Sequence, residues 1–427
     1  MKEEFLHFLW QYKLFNKANL ISVKGGIVEV VDSGSHNTNS GPDFLNAKLK
    51  IDSQLWVGNV EIHIKSSDWY AHHHEKDANY DAVILHIVWE HDTDIFMKNN
   101  RPLPTVELQK FVQKEVLVNY KRLFVKEKRW ILCENQIAET NSFLLSNWLE
   151  RLYFERLENK SVVIKELLQK SNNDYEAVLF QLLAKNFGLK VNGIAFLQLA
   201  QSFDFSVLRK VRFNEEQLSA LLFGQAGFLT DEIEDSYYQQ LQKEYTYIQH
   251  KYKLKPITKH RFQFFRMRPN NFPTIRIAQL VALYNEYQNL FSRLIAINRV
   301  EDFYDLLTVE VNDFWKAHYT FETPSKKSAK KLTKSFIDLL IINTIIPLKF
   351  VYEQGRGEMN EESLLKLMEQ LKPEKNSIIS KFSELQINAK NAFETQALLE
   401  LKNNYCLNNR CLNCRIGGSI LNRRYKA

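Results

Sequence analysis

Acidic residues and histidines gather in one short N-terminal stretch of the chain. Asp43 stands at the start of a predicted strand, and Glu61, His63 and Lys65 alternate along the next one. Side chains two residues apart on a strand point to the same face, so these three are expected to form a polar row, with apolar residues on the opposite face. Two carboxylates held together by a sheet can bind a divalent ion, which lowers the pKa of a bound water. The pattern therefore predicts a metal-dependent active site.

Histidines are concentrated in the same stretch, where six of the eleven lie between residues 63 and 91. They are His63, His72, His73, His74, His86 and His91. Carboxylates suit Mg²⁺ or Mn²⁺, and imidazole also suits Mn²⁺ or Zn²⁺. The stretch therefore offers hard oxygen ligands and imidazole ligands together.

Each of these residues also has a purely structural interpretation. Asp43 follows Gly-Pro and could close a turn, while Glu61 and His63 could form a surface pair on an edge strand. The residues at 72–74 are expected to form a polar loop or helix start from which at most one histidine reaches the site. His86 is predicted to be a hydrogen-bonded core residue, and Asp68 with Trp69 to anchor the turn after the strand.

The stretch resembles the PD-(D/E)XK nuclease superfamily over residues 1–110. That superfamily has an acid at the start of one strand and acid-x-Lys on the next, within a helix–strand–strand–strand–helix–strand unit. Pro42-Asp43 matches the first part, and Glu61-Ile62-His63 matches the second, with histidine in the lysine position. The resemblance implies that Asp43 and Glu61 bind Mg²⁺ or Mn²⁺. It also implies that His63 orients or activates the water and that Lys65 supplies the missing cation.

Three functions are compatible with this pattern. The first is a metal-dependent nuclease that cleaves DNA or RNA. The second is a non-catalytic nucleic-acid-binding or interaction protein that retains a nuclease-like fold, and the third is a hydrolase that uses Zn²⁺ at the histidines on another substrate. The whole chain also resembles a family of uncharacterised bacterial proteins known only as a domain of unknown function, which implies no activity.

Four cysteines lie outside the nuclease-like stretch. Cys406, Cys411 and Cys414 are spaced C-x4-C-x2-C near the C-terminus, and Cys133 stands alone. Three clustered thiols and one distant thiol are typical of a four-thiolate site for Zn²⁺ or a [4Fe–4S] cluster. Some nucleases of the resembled superfamily carry an iron–sulfur cluster on one distant and three clustered cysteines, although their first cysteine precedes the nuclease core. The alternative is four reduced, unligated thiols, since buried cysteine is common.

Two basic segments are candidates for nucleic-acid contact. Arg266, Arg268 and Arg276 alternate with aromatic residues, a mixture that suits phosphate contact and base stacking. The same mixture suits a helix-packing face with arginines that extend to solvent. Lys128 and Arg129 follow the nuclease-like stretch and could line the approach to it.

The periodicity predicts an α+β protein with two domains. Residues 1–112 are expected to form a restriction-endonuclease-like α/β unit with a mixed sheet, and residues 113–427 a large all-α region with the cysteines at its end. Strands are predicted at 26–31, 44–51, 55–64, 82–89 and 105–108, after a first helix at 4–15. Helices are predicted at 142–158, 174–186, 191–203, 214–222, 231–253, 273–296, 330–352 and 360–370.

Composition limits the remaining choices. A net charge of +7 over 427 residues is compatible with nucleic acid without requiring it. No run of about 18 apolar residues is seen, so no membrane helix is predicted, and the N-terminus lacks the apolar segment of a signal peptide. Four cysteines in a chain of this length do not form a disulfide scaffold. A cytoplasmic protein is the expectation, with its oligomeric state left open.

Overall fold

The predicted N-terminal strands form a mixed sheet in the computed structural model of the protein, which describes residues 1–124 and 129–423. The strands are β1 (Val28–Asp32), β2 (Ser35–His36), β3 (Phe44–Ile51), β4 (Gln54–Lys65), β5 (Val83–Glu90) and β6 (Thr105–Glu107). They are ordered β1-β3-β4-β5-β6, with β2 paired to β3. The β1–β3 and β3–β4 pairs are antiparallel, whereas β4–β5 and β5–β6 are parallel. The five predicted strands are confirmed, and β2 is a short additional strand outside the predicted ones.

A two-residue turn fixes the register of β3 against β4. Asp52 and Ser53 both adopt positive φ, 51° and 68°, as the turns of tight hairpins require. The register then carries Phe44, at the start of β3, opposite Val60 of β4. The turn therefore brings the start of β3 beside the polar row of β4.

Helix α1 (Glu3–Gln11) packs against β4. Phe5, Leu9 and Trp10 lie on its buried face. The Trp10 indole N–H donates to the Ser33 carbonyl over 3.1 Å, which ties the helix to the segment after β1. The helix is shorter than predicted, and its position beside β4 brings its polar residues within reach of the same sheet.

The parallel step from β4 to β5 passes through a short helix, α2 (Asp68–Ala71), and a 3₁₀ turn at Ala78–Tyr80. In the resulting register, Glu61 lies beside His86, and His63 lies beside Val88. The crossover segment therefore begins and ends next to the polar row.

Helices form most of the chain after the sheet. In chain order they are α3 (Lys114–Leu123), α4 (Ser142–Lys170), α5 (Tyr175–Phe187), α6 (Leu189–Gln201), α7 (Phe205–Val211), α8 (Glu215–Gln225), α9 (Ser236–Tyr252), α10 (Pro273–Glu286), α11 (Leu290–Ala296), α12 (Val300–Leu307), α13 (Asp313–Ala317), α14 (Lys334–Leu340), α15 (Ile346–Arg356), α16 (Glu361–Gln370), α17 (Ser377–Glu384), α18 (Ala392–Glu400) and α19 (Arg415–Leu421). The predicted α+β class is confirmed. The helix predicted at 273–296 is two helices, separated at Tyr287, whose backbone is extended.

The chain divides into two compact units. Unit 1 contains Met1–Leu149, Ser380–Ile387 and the residues from Leu399 onward, and unit 2 contains Glu150–Ile379 and Asn388–Leu398. The division expected at residue 112 marks the place where strands give way to helices. The compact units instead group the first helices after the sheet, and the C-terminal segment, with the sheet.

The C-terminal segment is held in unit 1 by α3. The buried Asn119 amide donates to the carbonyls of Leu421 and Arg423 over 3.1 and 3.0 Å, and α19 packs against α3. A buried amide left without partners would cost about 1–3 kcal/mol. These bonds join residues about 300 positions apart, which no local pattern in the sequence could indicate.

One helical stretch among the described residues, Lys334–Arg356, has the length and composition of a membrane span, with 23 residues and a mean hydropathy of 1.6. However, 72% of its most apolar window is buried inside the protein. A helix that is apolar on all sides and covered by other helices is a core helix. The stretch is therefore a buried core helix.

Candidate metal centre

Asp43 directly precedes β3 and Glu61 lies on β4, and each carboxylate accepts a hydrogen bond from the main chain of the segment beside it. The Asp43 N–H donates to Glu61 Oε2 over 3.2 Å, and the Ile62 N–H donates to Asp43 Oδ2 over 2.9 Å. Both contacts follow from the β3–β4 register. The Glu61 side chain is 6% exposed and the Asp43 side chain 19%. The two carboxylates are therefore fixed in place instead of being free on the surface.

Helix α1 adds two candidate ligands that sequence reasoning does not find. His7 Nε2 lies 3.3 Å from Asp43 Oδ2 and 3.8 Å from Glu3 Oε1. One ligand atom from each of Glu3, His7 and Asp43 lies within 4.8 Å of the others, and we call these three the Asp43 group. Glu3 and His7 are four residues apart and share one face of the helix. That polar pair beside apolar positions is the available sequence signal.

A second set of ligand atoms comes from histidines at the end of β4. His63, His72 and His74, which we call the histidine group, place ring nitrogens within 4.8 Å of one another. His63 Nε2 lies 3.2 Å from His72 Nδ1, and His74 Nε2 lies 3.3 Å from Glu61 Oε1. The sequence predicts that at most one of residues 72–74 reaches the site. That prediction is wrong, because His72 and His74 both do, while His73 is exposed.

The turn after β4 positions these rings. The Lys65 N–H donates to Asp68 Oδ2 over 2.9 Å, and Trp69 is buried, so the predicted anchor of the turn is confirmed. His73 adopts a positive φ of 61°, in the left-handed region. The chain reverses there, so the two neighbours of His73 face His63 and His73 itself does not.

His86 on β5 supports the histidine group from inside the protein. It is fully buried, and its Nε2 lies 2.8 Å from His63 Nδ1. A hydrogen bond to one nitrogen of an imidazole orients the ring and directs the other nitrogen outward. The prediction of a hydrogen-bonded core histidine is confirmed, and the contact directs His63 Nε2 toward Glu61 Oε1, 3.5 Å away.

Crowded carboxylates shift the pKa values around Asp43. Burial and then the charge of Asp43 raise the pKa of Glu61 to about 9. The same two causes raise the pKa of Glu3. Burial lowers the pKa of His7, but the hydrogen bond and charge attraction from Asp43 outweigh it, so the net shift is upward. Acids that ionise with difficulty because another acid is close form the setting that a divalent cation relieves.

The pKa values of His63, His74 and His86 are shifted downward. Burial and then the charges of His74 and His72 lower the pKa of His63 to about 3. Burial also lowers the pKa of His74, and it lowers that of His86 far below the usual range. These rings are therefore neutral at pH 7, which is the form that binds metals. Lys65 continues the polar row as an exposed side chain.

The four cysteines, which we call the cysteine cluster, meet within unit 1. Cys133, Cys406, Cys411 and Cys414 line one cavity whose other walls are mostly apolar. Burial raises the pKa of every thiol, and for Cys133, Cys406 and Cys411 the charges of other cysteines raise it further. Sequence reasoning expected Cys133 to join the C-terminal three, and the fold brings them together. A metal bound to them stays a prediction.

The predicted nucleic-acid contacts differ in exposure. Arg266 and Arg268 are exposed in unit 2. Arg129 is half-buried in unit 1 and donates to a main-chain carbonyl over 3.2 Å. Lys128 lies outside the described residues. Arg266 and Arg268 therefore remain candidates for nucleic-acid contact.

Arg276 requires a correction. It is 6% exposed, and its guanidinium donates to Gln279 over 2.8 Å and to Asn271 over 2.7 Å. It also stacks 3.6 Å above the centre of the Phe336 ring. Burial lowers its pKa to about 10. Arg276 thus belongs to the core of unit 2 and not to a nucleic-acid surface, in line with the helix-packing alternative.

Comparison with known proteins gives one match. A family model described as "Protein of unknown function (DUF2851)" matches residues 3–377. The matched region contains the whole carboxylate and histidine site, and it ends before the three clustered cysteines. No curated protein and no solved structure matches the chain.

Proposed function

The chain belongs to this family of proteins of unknown function, and we propose that it is a metal-dependent phosphodiesterase that cleaves DNA or RNA. One observation carries the proposal. Asp43, which directly precedes β3, and Glu61, on β4, each accept a main-chain hydrogen bond from the segment beside them, and α1 adds His7 to the same place. We further propose that the enzyme is cytoplasmic.

The order of elements supports the proposal. Helix α1 is followed by the antiparallel strands β1, β3 and β4, then by α2 and the parallel strand β5. The same order defines the unit of the PD-(D/E)XK superfamily, which the N-terminal sequence resembles. Asp43 directly precedes the second of the long strands and Glu61 lies in the third, as that pattern requires.

The donor set fits Mg²⁺ or Mn²⁺. Asp43 would bind the ion together with His7 and Glu3, whose ligand atoms lie within 4.8 Å of one another. Glu61, whose Oε2 accepts a hydrogen bond from the Asp43 N–H, would add a second strand carboxylate. A divalent ion in this place lowers the pKa of a bound water and stabilises the charge that develops on the phosphate. The β3–β4 bonds hold the two carboxylates in position before any substrate binds, which limits the rearrangement needed for reaction.

In this protein, His63 occupies the position where the resembled superfamily has lysine. His63 is neutral, so it can orient a water by hydrogen bonding but brings no positive charge. Lys65 lies one pleat further along β4 and would have to reach back from the surface to supply that charge. In the proposed mechanism, His63 positions the water and Lys65 approaches the phosphate.

Nucleic-acid contact is proposed for the exposed basic residues. Arg266 and Arg268 of unit 2 are the exposed side chains of the predicted set, whereas Arg129 of unit 1 is half-buried and bonded to a main-chain carbonyl. Guanidinium groups bind phosphate through paired hydrogen bonds, and the net charge of +7 favours a polyanionic partner.

The cysteine cluster is proposed to hold a metal that stabilises unit 1. All four thiols are free and line one cavity. Four thiolates can bind a tetrahedral Zn²⁺ or a [4Fe–4S] cluster.

The test of the proposed reaction uses single- and double-stranded DNA and RNA with Mn²⁺. We expect the wild-type protein to cleave at least one substrate. Asp43→Asn and Glu61→Gln keep the hydrogen-bond acceptors but remove the charge, and each should reduce the rate by about 10²-fold or more. Glu29→Gln is the matched control, because that carboxylate is exposed on β1 and pairs with Lys50 over 3.3 Å. Its rate should be unchanged.

Two outcomes overturn the proposal. One is cleavage that persists in both Asp43→Asn and Glu61→Gln, and the other is no cleavage of any substrate. Salt-dependent binding without cleavage would instead indicate a non-catalytic nucleic-acid-binding protein.

A further inference from the structure

We infer that the centre has a second cation site, formed by His63, His72 and His74 with Glu61 shared between it and the Asp43 group. The site would take Mn²⁺ or Zn²⁺, because imidazole ligands favour these ions over Mg²⁺. The site itself is inferred from geometry alone, while its catalytic meaning rests on the proposed phosphodiesterase.

The separations between ligand atoms carry the inference. His63 Nε2 is 3.2 Å from His72 Nδ1 and 3.5 Å from Glu61 Oε1. His74 Nε2 is 3.3 Å from the same Glu61 oxygen. Ligands bound at about 2.1 Å in octahedral or tetrahedral geometry lie about 3.0–3.4 Å apart. The ring nitrogens of the three histidines lie within 4.8 Å of one another, and Glu61 Oε1 lies within 3.5 Å of two of them, so the histidines form the ligand set and Glu61 adjoins it.

The contact between the rings is also compatible with a cation. Two imidazole nitrogens that face each other at 3.2 Å share the N–H of one ring in the metal-free protein, and both can turn lone pairs to an ion when that proton moves to the other ring nitrogen or leaves. His86 occupies the other nitrogen of His63 at 2.8 Å and fixes the ring from the buried side. This is the supporting contact that metal-binding histidines commonly have.

Glu61 is placed to bridge the two sites. Its Oε1 faces the nitrogens of His63 and His74, whereas its Oε2 accepts the hydrogen bond from the Asp43 N–H. One oxygen therefore faces the histidine group, and the other lies against the main chain of Asp43. Carboxylates that bridge in this way hold two ions about 3.5–4 Å apart, as in many two-metal phosphodiesterases.

A second ion would also explain the neutral residue in the lysine position. The superfamily pattern has a positive side chain where this protein has His63. An ion held by the histidine group would bring positive charge to that place, so His63 would position the water through the ion and not directly. Lys65 would then be dispensable for the charge.

The experiment counts bound Mn²⁺ on the full-length protein without substrate, by titration calorimetry and electron paramagnetic resonance. Mn²⁺ prefers oxygen and nitrogen ligands, so it reports on this centre and not on the cysteine cluster. Wild-type protein should bind two Mn²⁺ and show the signal of a coupled pair. His72→Ala, at an exposed position, should weaken the second site about tenfold or more and abolish the coupled signal.

A control and a second variant keep the test decisive. His73→Asn preserves a residue type that tolerates positive φ at the exposed neighbour, and it should still bind two Mn²⁺. His74→Gln removes a different ligand and should repeat the His72→Ala result. The inference is overturned if wild-type protein binds one Mn²⁺ or if both ligand variants still bind a coupled pair. Two bound Mn²⁺ without cleavage of nucleic acid would support the site and reject the proposed phosphodiesterase.

Discussion

The carboxylate–histidine centre and the cysteine cluster are both buried polar sites in unit 1, but their residues come together differently. Asp43, Glu61 and His63 lie within 20 positions of one another, on β4 and at the start of its partner β3. Cys133 meets cysteines that follow it by more than 270 positions. Two strands that pair locally hold carboxylates and imidazoles in a rigid arrangement, which suits catalysis. Thiols that come from distant segments suit a metal that connects those segments and stabilises the fold.

The largest effect expected from this comparison is on stability, at the cysteine cluster. Cys411→Ser should remove the bound metal and lower the free energy of unfolding by about 3 kcal/mol or more, because metal binding and folding are coupled at such sites. Asp43→Asn should change it by about 1 kcal/mol or less. Urea unfolding after anaerobic purification measures both, and absorbance with metal analysis identifies iron or zinc. A colourless, metal-free wild-type protein, or equal unfolding free energies for the two variants, would contradict the comparison.

The next largest effect on stability is expected at Arg276, a buried charge outside both sites. Arg276→Ala should destabilise the protein by about 2–3 kcal/mol, since Gln279 and Asn271 lose a buried partner. It should leave the salt dependence of nucleic-acid binding unchanged. The paired variant Arg266→Ala, at an exposed site, should change stability by about 0.5 kcal/mol or less and reduce the salt slope by about one. An altered salt slope in Arg276→Ala would reinstate it as a phosphate contact.

Per pH unit, the smallest effect is a pH dependence of stability at the carboxylate–histidine centre. The pKa of Glu61 is raised from 4.5 to about 9, so in this range the folded protein holds a proton that the unfolded chain has lost. Its contribution to stability is therefore present below pH 4.5 and is lost as pH rises to about 9. His63 has the opposite sign, and its contribution is lost as pH falls from 6.5 to about 3.

The measurement uses the range above pH 6.5. There Glu61 changes its protonation on unfolding, whereas His63 is neutral in both states. In chelator, stability should fall with pH, with a slope from Glu61 of at most about 1.4 kcal/mol per pH unit. Glu61→Gln should lack this part of the slope, and saturating Mn²⁺ should remove it in the wild type, because the ion binds the ionised carboxylate. A slope that is the same in Glu61→Gln and the wild type would show that Glu61 is not the titrating group.

Much of the site could be predicted because its central residues obey a local rule. The alternation of Glu61, His63 and Lys65 assigns them to one face of a strand, and the Asp52-Ser53 turn assigns that strand its partner. The α+β class follows in the same way from the change in periodicity after the sheet. These inferences need only neighbours in the sequence, and the structure agrees with the faces and turns that they predict.

The tertiary structure alone decided which other residues join the site. Glu3 and His7 reach Asp43 because α1 packs on β4, and His72 reaches His63 because the chain reverses at residue 73. Helix packing and chain reversal depend on contacts between segments that are separate in the sequence, so spacing could not reveal them.

The sequence by itself determined the identities of the two carboxylates, the polar row of β4 and the presence of four thiols suited to one site. Only the fold decided that Arg276 is a core residue and that Glu61 lies between two sets of ligands. The physical reason is that residue type and local period fix the chemistry and the face of a side chain. Burial and distance depend on what the rest of the chain places against it.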